Sequence, residues 1–538
     1  MGVYLNSTSA YTLYKDEALK PYFVDKSQML EQLFPLVKRG NNHICFTRPR
    51  RFGKTVMANM VASFFSRGCD AGDVFRNLEI SKNPEYGEYR NQFSVIHMSL
   101  NDIGGKCASY GEYIDRIQQR LARDLKREYP DVPLDGEMDV VDILVDIYTE
   151  NPSARFIFVL DEWDFIFHQD FVTESDRKAY LQFLRSLLKD RPYVLLAYMT
   201  GILPIAKYSS GSELNMFVEF TMAKSPEFSD YFGFTEAEVL MLHERYMNLC
   251  REPRITMEGL RSWYNGYHTA SGERVYNPRS VVLALRFNDL GNYWTSAGPY
   301  DEIYYYIEHN VDDVREDLAL MVSGTAVPAR IQEYAATSMN LQTRDEIFSA
   351  MVVYGFLSYE KGYVSIPNQE LMEKFADMLK KEPSLGYVYR LARESDRMLC
   401  ATLAGDTETM EEILELAHDT ETPILSYNNE TELAAVVNLV YLAARDKYRV
   451  KREDKAGKGF VDFVFYPEWD RSADCIILEL KVDHTPEMAI SQIIQKNYAL
   501  CFKGKLGTEA VYTGRILAVG ISYDKAEKKH RCQVQILK

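Results

Sequence analysis

The stretch Arg48-Pro49-Arg50-Arg51-Phe52-Gly53-Lys54-Thr55 (RPRRFGKT, 48–55) is one glycine short of a phosphate-binding loop. The usual spacing is Gly-x-x-x-x-Gly-Lys-Thr/Ser, and here Arg48 stands where the first glycine belongs. Gly-Lys-Thr alone is weak, since average residue usage gives roughly 0.2–0.3 such tripeptides in a chain this long. The flanks carry the reading. Ile44-Cys45-Phe46-Thr47 is a short apolar run, and VMANMVASFF after the loop repeats apolar residues at helical spacing. Strand, loop, helix is the order in which loop amides and a helix N-terminus face phosphates. In that frame Gly53 lets the backbone approach, Lys54 reaches the β- and γ-phosphates of ATP, and Thr55 offers a hydroxyl to Mg²⁺. Arg51, Phe52 and Val56 complete the expected nucleotide-binding set. Arg48 takes positive φ less readily than glycine and Pro49 stiffens the turn, so a remodelled loop is expected. Arg48, Arg50 and Arg51 lie either near phosphate or on a solvated basic loop.

A second strand is expected at FSVIHMSL (93–100), a third at RFIFVLDEWD (155–164) and a fourth at YVLLAYMTG (193–201). Amphipathic helices such as EYIDRIQQRLARDLKREY and RKAYLQFLRSLLKD separate them. Apolar strands alternating with helices predict an α/β fold with a parallel sheet covered on both faces. Phe156-Ile157-Phe158-Val159-Leu160 ends in Asp161-Glu162, two carboxylates at the C-terminal tip of a buried strand, where ligands of open α/β sheets gather. Asp161 is expected to hold Mg²⁺ through water and Glu162 to orient and deprotonate the attacking water. Thr200, at the end of the next strand, is expected to sense the γ-phosphate.

After about residue 215 helices dominate, punctuated by WYNGYH (263–268), YNPRSVV (276–282) and NYW (292–294). YGFLSYEKGYVSIPN (354–368) reads as two short strands, like a small wing. An acidic helical stretch, ESDRMLCATLAGDTETMEEILELAHD, follows. The expected divisions are an ATPase-like domain over 1–215, a helical lid with a winged-helix-like part over 216–375, a helical linker over 376–424 and a second α/β domain over 425–538. No internal repeat or low-complexity segment is seen.

In the last domain, CIILELKVD (475–483) is an apolar strand carrying Glu479 and Lys481 two residues apart, hence on one face. An otherwise buried strand does not carry two such charges without a reason. GKGFVDFVFYP (457–467) is another strand, with Asp462 inside it. Two carboxylates and a lysine suit metal-assisted phosphodiester hydrolysis: Asp462 and Glu479 bind Mg²⁺, and Lys481 positions the water and steadies negative charge. ETELAAVVNLVYLAAR (430–445) reads as a helix ahead of these strands and PEMAISQIIQKNYA (486–499) as a helix after them.

The runs FVDKS (23–27), TRPRRFGKT (47–55), LDEWD (160–164), TGI (200–202), WYNGY (263–267) and YNPRSV (276–281) resemble the bacterial and archaeal AAA-ATPase-like family. That family joins this degenerate phosphate loop to a C-terminal PD-(D/E)XK nuclease-like domain. The resemblance covers nearly the whole chain. It implies that the missing glycine is a family trait and that the ATPase module acts as a regulated switch. It places Asp462 at the Asp position and Glu479-Leu480-Lys481 at the (D/E)XK element. It offers Glu432 as the first-helix glutamate that reaches the metal, against the local reading of a capping box from Asn429. Gln492-Ile493-x-x-Lys496-x-Tyr498 resembles a further family run, in which Gln492 supports the site, Lys496 touches phosphate or is solvated, and Tyr498 is core. The family often shows a basic residue just before the aspartate strand. Here Phe460 follows Gly459.

With 538 residues, 46% hydrophobic and 26% charged, the chain has globular composition and room for about two to four domains. No apolar run is long enough to span a bilayer, and the N-terminus lacks a secretory leader; Met1-Gly2 with Ser7 reads as an ordinary start rather than a myristoylation signal. The eight cysteines form no Cys-x-x-Cys, which points to a reducing cytoplasm rather than to zinc or a disulfide framework. The net charge of −16 excludes a protein that coats nucleic acid with its whole surface. From residue 425 on there are 18 Lys and Arg against 15 Asp and Glu, which favours DNA or RNA contact at that end. Three functions follow as expectations: an ATP-regulated, Mg²⁺-dependent nuclease; a non-nucleolytic ATPase switch in defence or signalling; and a protein that binds ATP without turning it over. A homo-oligomer whose neighbour supplies an arginine is compatible with each.

Overall fold

Phe156–Leu160 is buried without remainder, and its side chains alternate between two cores. Phe156, Phe158 and Leu160 enter one cluster with Leu121, Leu144 and Tyr180. Ile157 and Val159 enter the other with Phe34, Met60 and Phe64. Burial of these five side chains contributes on the order of 10 kcal/mol, as an upper estimate. The computed structural model describes residues 2–103, 107–132, 139–205, 214–223, 225–294, 311–332, 341, 343–381, 383–385, 387–416, 430–456, 459–468, 470–502 and 512–538. Contacts divide the chain into two units, Met1–Gly298 with Ala329–Glu370, and Pro299–Pro328 with Leu371–Lys538.

In the first unit, β1 (Asn42–Thr47), β2 (Ser94–Ser99), β3 (Phe156–Asp161), β4 (Val194–Gly201) and β5 (Val218–Phe220) form a parallel sheet in the order β2-β3-β4-β1-β5. The four expected strands are present, and β5 is an addition. β4 lies between the strand that leads into the phosphate loop and the strand that carries Asp161. The outer edge of β2 is covered by the N-terminus: Asn6 N donates to Val95 O and His97 N to Tyr4 O, while Asp124 accepts from Tyr4 N and Leu5 N. Covering a free edge in this way blocks sheet-to-sheet association. The expected pair of short strands is an antiparallel hairpin, Ser358–Glu360 with Tyr363–Ser365. Lys361 and Gly362 both take positive φ, as a two-residue type I′ turn requires.

In the second unit, β6 (Tyr448–Ala456), β7 (Gly459–Pro467), β8 (Cys475–Val482), β9 (Ile516–Asp524) and β10 (Lys529–Ile536) form a mixed sheet in chain order. Only the β8–β9 pair is parallel, with helix Pro486–Gln495 as its crossover. Val464, Tyr466 and Ile477 meet Ile490 and Ile493 of that helix, whereas Phe465 packs on Tyr441, after helix Glu430–Val440. β10 was not anticipated. Its backbone N–H groups at His530 and Cys532 are taken by Glu415 and Glu411 of helix Thr407–Glu415. The acidic helical stretch is two helices, Ser395–Ala404 and Thr407–Glu415, separated by Gly405 at positive φ. The expected linker end at 424–425 and Asn429 lie outside the described residues. Helix Val311–Val322 is held at its C-terminal end: Asn438 Nδ2 and Arg445 Nη2 donate to Val322 O, and Arg452 Nη1 to Ser323 O. Cationic donors at that end also suit the helix dipole.

Glu370 is a fully buried carboxylate of the first unit. It accepts from the Ser280 hydroxyl and from the backbone N–H of Tyr293 and Trp294. Burial, opposed by these bonds, pushes its pKa up to about 7. The folded state therefore holds the proton up to about pH 7, while the unfolded chain releases it near 4.5. By linkage, this group's contribution to stability falls as pH rises across that interval. Thermal melts of wild type between pH 4.5 and 8 are expected to show the decline, and Glu370→Gln to flatten it. Glu370→Ala leaves three donors unmatched and is expected to cost about 3 kcal/mol.

Candidate functional sites

The loop after β1 leads straight into helix Lys54–Phe65. Gly53 and Arg51 are its left-handed residues, at φ 89° and 70°. Arg48, which replaces the first glycine, is not among them. It is buried, donates from Nη1 to Thr47 O and to Phe220 O of β5, and lays its guanidinium 4.9 Å from the Phe232 ring centre. Of the two expectations for Arg48, burial overturns the solvated one, and the side chain braces β1 to β5. Phe52 is buried edge-on against Tyr267, and its carbonyl accepts from Gly233 N. Thr55 is exposed and Val56 half-buried. Trp294 Nε1 donates to Arg50 O, so the ring pins the middle of the loop.

Lys54 is buried and donates to Arg48 O and Pro49 O at 2.8 and 2.9 Å. Burial lowers its pKa to about 8, against the pull of Asp164, Asp161 and Glu162. Asp161 is buried, and the fully buried Thr200 gives its hydroxyl to Asp161 rather than to the open side of the site. Thr200 therefore aims Asp161. Glu162 sits at φ 55° and accepts from Asn101 Nδ2 at 2.8 Å. Burial, then Asp161, raises its pKa. Asp164 accepts from Ile202 N and Leu203 N and so ties the strand tips together. Arg51 feels Arg279 and Arg50 as neighbouring cations, and burial with these two lowers its pKa. Asn101, Asp164, Arg279 and Trp294 went unassigned in the sequence. Asn101 had a signal: it directly follows the second expected strand.

In the second unit, β7 and β8 pair at 463↔478, 464↔477 and 465↔476, and the ladder stops there. Beyond it the Asp462 carboxylate takes over, with Oδ2 accepting from Leu480 N at 2.7 Å. Continuing the register sets Asp462 opposite Glu479. Glu479 is buried, and its Oε1 accepts from Gln492 Nε2 and lies 3.4 Å from Lys481 Nζ. Its Oε2 is buried with no hydrogen-bond partner among the described residues. Burial, then Asp462, pushes Glu479 up to about 7, and burial also raises Asp462. Gln492 thus meets the site. Lys496 is exposed at the end of its helix, and Tyr498 is buried with its hydroxyl on Phe460 O.

A second glutamate of the same helix, Glu430, faces this group: its Oε1 lies 3.9 Å from Lys481 Nζ and its charge raises Asp462. The charge of Glu432 is felt by Glu316 of helix Val311–Val322. Among the described residues no three His, Cys, Asp or Glu side chains are gathered closely enough to hold a metal. Asp462 and Glu479 nevertheless fit a divalent cation. Both are carboxylates raised by burial, and one buried oxygen has no donor, which a cation would supply.

The comparisons agree with this division. Residues 13–210 match the family described as predicted AAA-ATPase. Residues 428–530 match the PD-(D/E)XK nuclease superfamily. The chain therefore joins an AAA-ATPase-like segment to a PD-(D/E)XK-superfamily segment. An uncharacterized protein encoded in the vnfD 5′ region of Azotobacter chroococcum mcd 1 is 25% identical over 296 residues. That is 52% of this chain and 51% of the relative, so the chain spans about half the length of the curated relative it matches. Among solved structures, a Walker-type ATPase of Pyrococcus abyssi overlaps 65% of this chain and 94% of its own, at 10% identity and a TM-score of 0.35. The ORC2 protein of Aeropyrum pernix overlaps 67% and 97%, at 11% identity and a TM-score of 0.34. No helix among the described residues is long and apolar enough to cross a membrane.

Lys54 gives a test independent of any ligand. The unfolded chain holds its proton to about pH 10.5, the folded one only to about 8. Stability should therefore rise with pH across that interval. Melts at pH 7, 9 and 10.5 are expected to show this rise in wild type and to lose it in Lys54→Met, whose midpoint at pH 7 is no lower than wild type.

Proposed function

We propose that the AAA-ATPase-like segment binds and hydrolyses ATP with Mg²⁺, and that this turnover gates a metal-dependent nuclease in the C-terminal unit. The observation that carries the nuclease part is Glu479, a buried carboxylate with one oxygen left without a donor and a lysine 3.4 Å from the other. The ATPase part is supported by Lys54 held inside the loop and by Asp161 and Glu162 at the tip of β3.

In this reading Lys54 exchanges two neutral carbonyl partners for charged β- and γ-phosphate oxygens, a stronger pairing for a buried ammonium. Gly53 and the loop amides take the phosphates, with Arg51, Phe52 and Val56 around them. Thr55 and Asp161 would hold Mg²⁺, which when bound neutralises phosphate charge. Thr200 keeps Asp161 aimed. Glu162, its pKa raised by burial, is a better proton acceptor than an ordinary glutamate, and Asn101 sets its direction. In the C-terminal unit Asp462 and Glu479 would hold Mg²⁺, which activates water and offsets charge at the scissile phosphate. Lys481 orients that water and steadies the charge, and Gln492 fixes Glu479. Glu430, 3.9 Å from Lys481 Nζ, is a further carboxylate beside this site, with Glu432 the first-helix glutamate that the family resemblance offers. DNA or RNA is the substrate class, a cytoplasmic location fits, and self-association is left to measurement.

The runner-up is an ATPase switch in defence or signalling whose C-terminal unit only binds nucleic acid or a partner. It is favoured by the net charge of −16 and by the absence of a three-residue acidic cluster among the described residues.

Purified full-length protein separates them. Phosphate release is expected to fall at least a hundredfold in Lys54→Ala and in Glu162→Gln, the latter still binding ATP. Mg²⁺-dependent cleavage of DNA or RNA is expected to vanish in Glu479→Ala. Cleavage that persists in Glu479→Ala overturns the nuclease assignment. Phosphate release without cleavage by wild type, in Mg²⁺ or Mn²⁺, selects the switch. Release at background in wild type means that ATP is only bound.

A further inference from the structure

Phe460 occupies the place where a basic residue was expected and is 66% exposed, while its strand neighbours Val461, Phe463 and Phe465 are buried. A single exposed apolar side chain is ordinary on a protein surface, so the ring's place in the fold decides its meaning. Phe460 stands two residues before Asp462, about 7 Å along the strand. The register 463↔478, continued past the ladder, sets Phe460 opposite Lys481 and Asp462 opposite Glu479. An exposed aromatic face and an ammonium thus end the two strands beside the carboxylates, within the span of one nucleotide.

The strand end is not frayed. Tyr498, itself buried, donates its hydroxyl to Phe460 O at 2.6 Å. Gly459 lies so close to that hydroxyl that a Cβ there would come within 3.0 Å of it. The ring is carried on backbone fixed in advance, which lowers the ordering cost of binding.

We propose, resting on the nuclease reading above, that Phe460 is a stacking platform for a base beside the scissile phosphate. The C-terminal unit then takes single-stranded or locally unpaired nucleic acid in preference to intact duplex. Two arguments select this occupant. A duplex keeps its base faces stacked inside, so a side-chain ring reaches one only where the strand is unstacked. And charge is too scarce for backbone binding alone: 18 Lys and Arg against 15 Asp and Glu from residue 425 on leave few cations to neutralise phosphates. Affinity then depends on stacking, which tolerates an acidic protein.

The test uses the full chain with Ca²⁺ in place of Mg²⁺, a fluorescein-labelled twenty-nucleotide thymidine strand and a twenty-base-pair duplex. Wild type is expected to bind the single strand at least tenfold tighter than the duplex. Phe460→Ala should weaken single-strand binding about tenfold and leave duplex binding and the salt slope unchanged, because no phosphate contact is lost. Phe460→Trp should restore it. Equal loss on both probes, no loss on either, or a change in oligomeric state of Phe460→Ala with unchanged binding overturns the platform, the last pointing to a protein–protein surface. The two readings fail separately. Cleavage that depends on Glu479 while Phe460→Ala binds as wild type removes only the platform. Absent cleavage with the selective loss in Phe460→Ala removes only the nuclease.

Discussion

Carboxylates buried or half-buried at strand tips and within strands organise this molecule. A charge withdrawn from water costs several kcal/mol unless something answers it, and each carboxylate here is answered differently. Asp164 takes two backbone N–H groups, Asp161 takes the Thr200 hydroxyl, Glu162 takes Asn101, and Asp462 takes the N–H of Leu480. Glu479 has Gln492 and Lys481 on one oxygen and no donor on the other. The parallel sheet of the first unit and the mixed sheet of the second are alike in this respect. Each sets acid at the margin of an apolar core.

The phosphate loop shows how a fold accommodates the loss of a glycine. Arg48 does not strain the backbone to imitate one. Its side chain turns inward, bridges β1 to β5 and stacks on Phe232, while the left-handed turn is taken by Arg51 and Gly53. The loop is then pinned from outside, by Trp294 on Arg50 O and by Gly233 on Phe52 O. Trp294 is in turn held through its backbone by Glu370. A loop without its first glycine is thus tied into a network that reaches a buried carboxylate whose pKa lies near 7. Changes at the loop and changes of protonation at Glu370 act on the same tryptophan.

Much of this was legible in the sequence, for physical reasons that also mark the limits. Four strands of the first sheet announce themselves because they are mainly apolar and bounded by helices. β5 does not, being three residues long with Val218 exposed. β10 is half polar, and its free edge is satisfied by glutamates from a distant helix, a pairing that no local pattern encodes. Asp161, Glu162, Asp462, Glu479 and Lys481 stood out because charge interrupts apolar strands. Glu430 was not singled out, because a difference of two residues in a helix's first turn is a difference of direction that only the packing of that helix decides. The bracing role of Arg48 was not legible, because burial between β1 and β5 is a tertiary fact.

We propose that Glu479, with Asp462 beside it, keeps one oxygen without a donor so that a divalent cation can supply the missing charge. Titration of Mn²⁺ into the full chain, followed by calorimetry at pH 6.5 and 8, tests it most directly. The account predicts one Mn²⁺ taken up by the C-terminal unit with loss of affinity on Asp462→Asn or Glu479→Gln. It also predicts tighter binding at pH 8 and proton release at pH 6.5, where Glu479 is still largely protonated. Mn²⁺ uptake that is the same in both variants and at both pH values would contradict it.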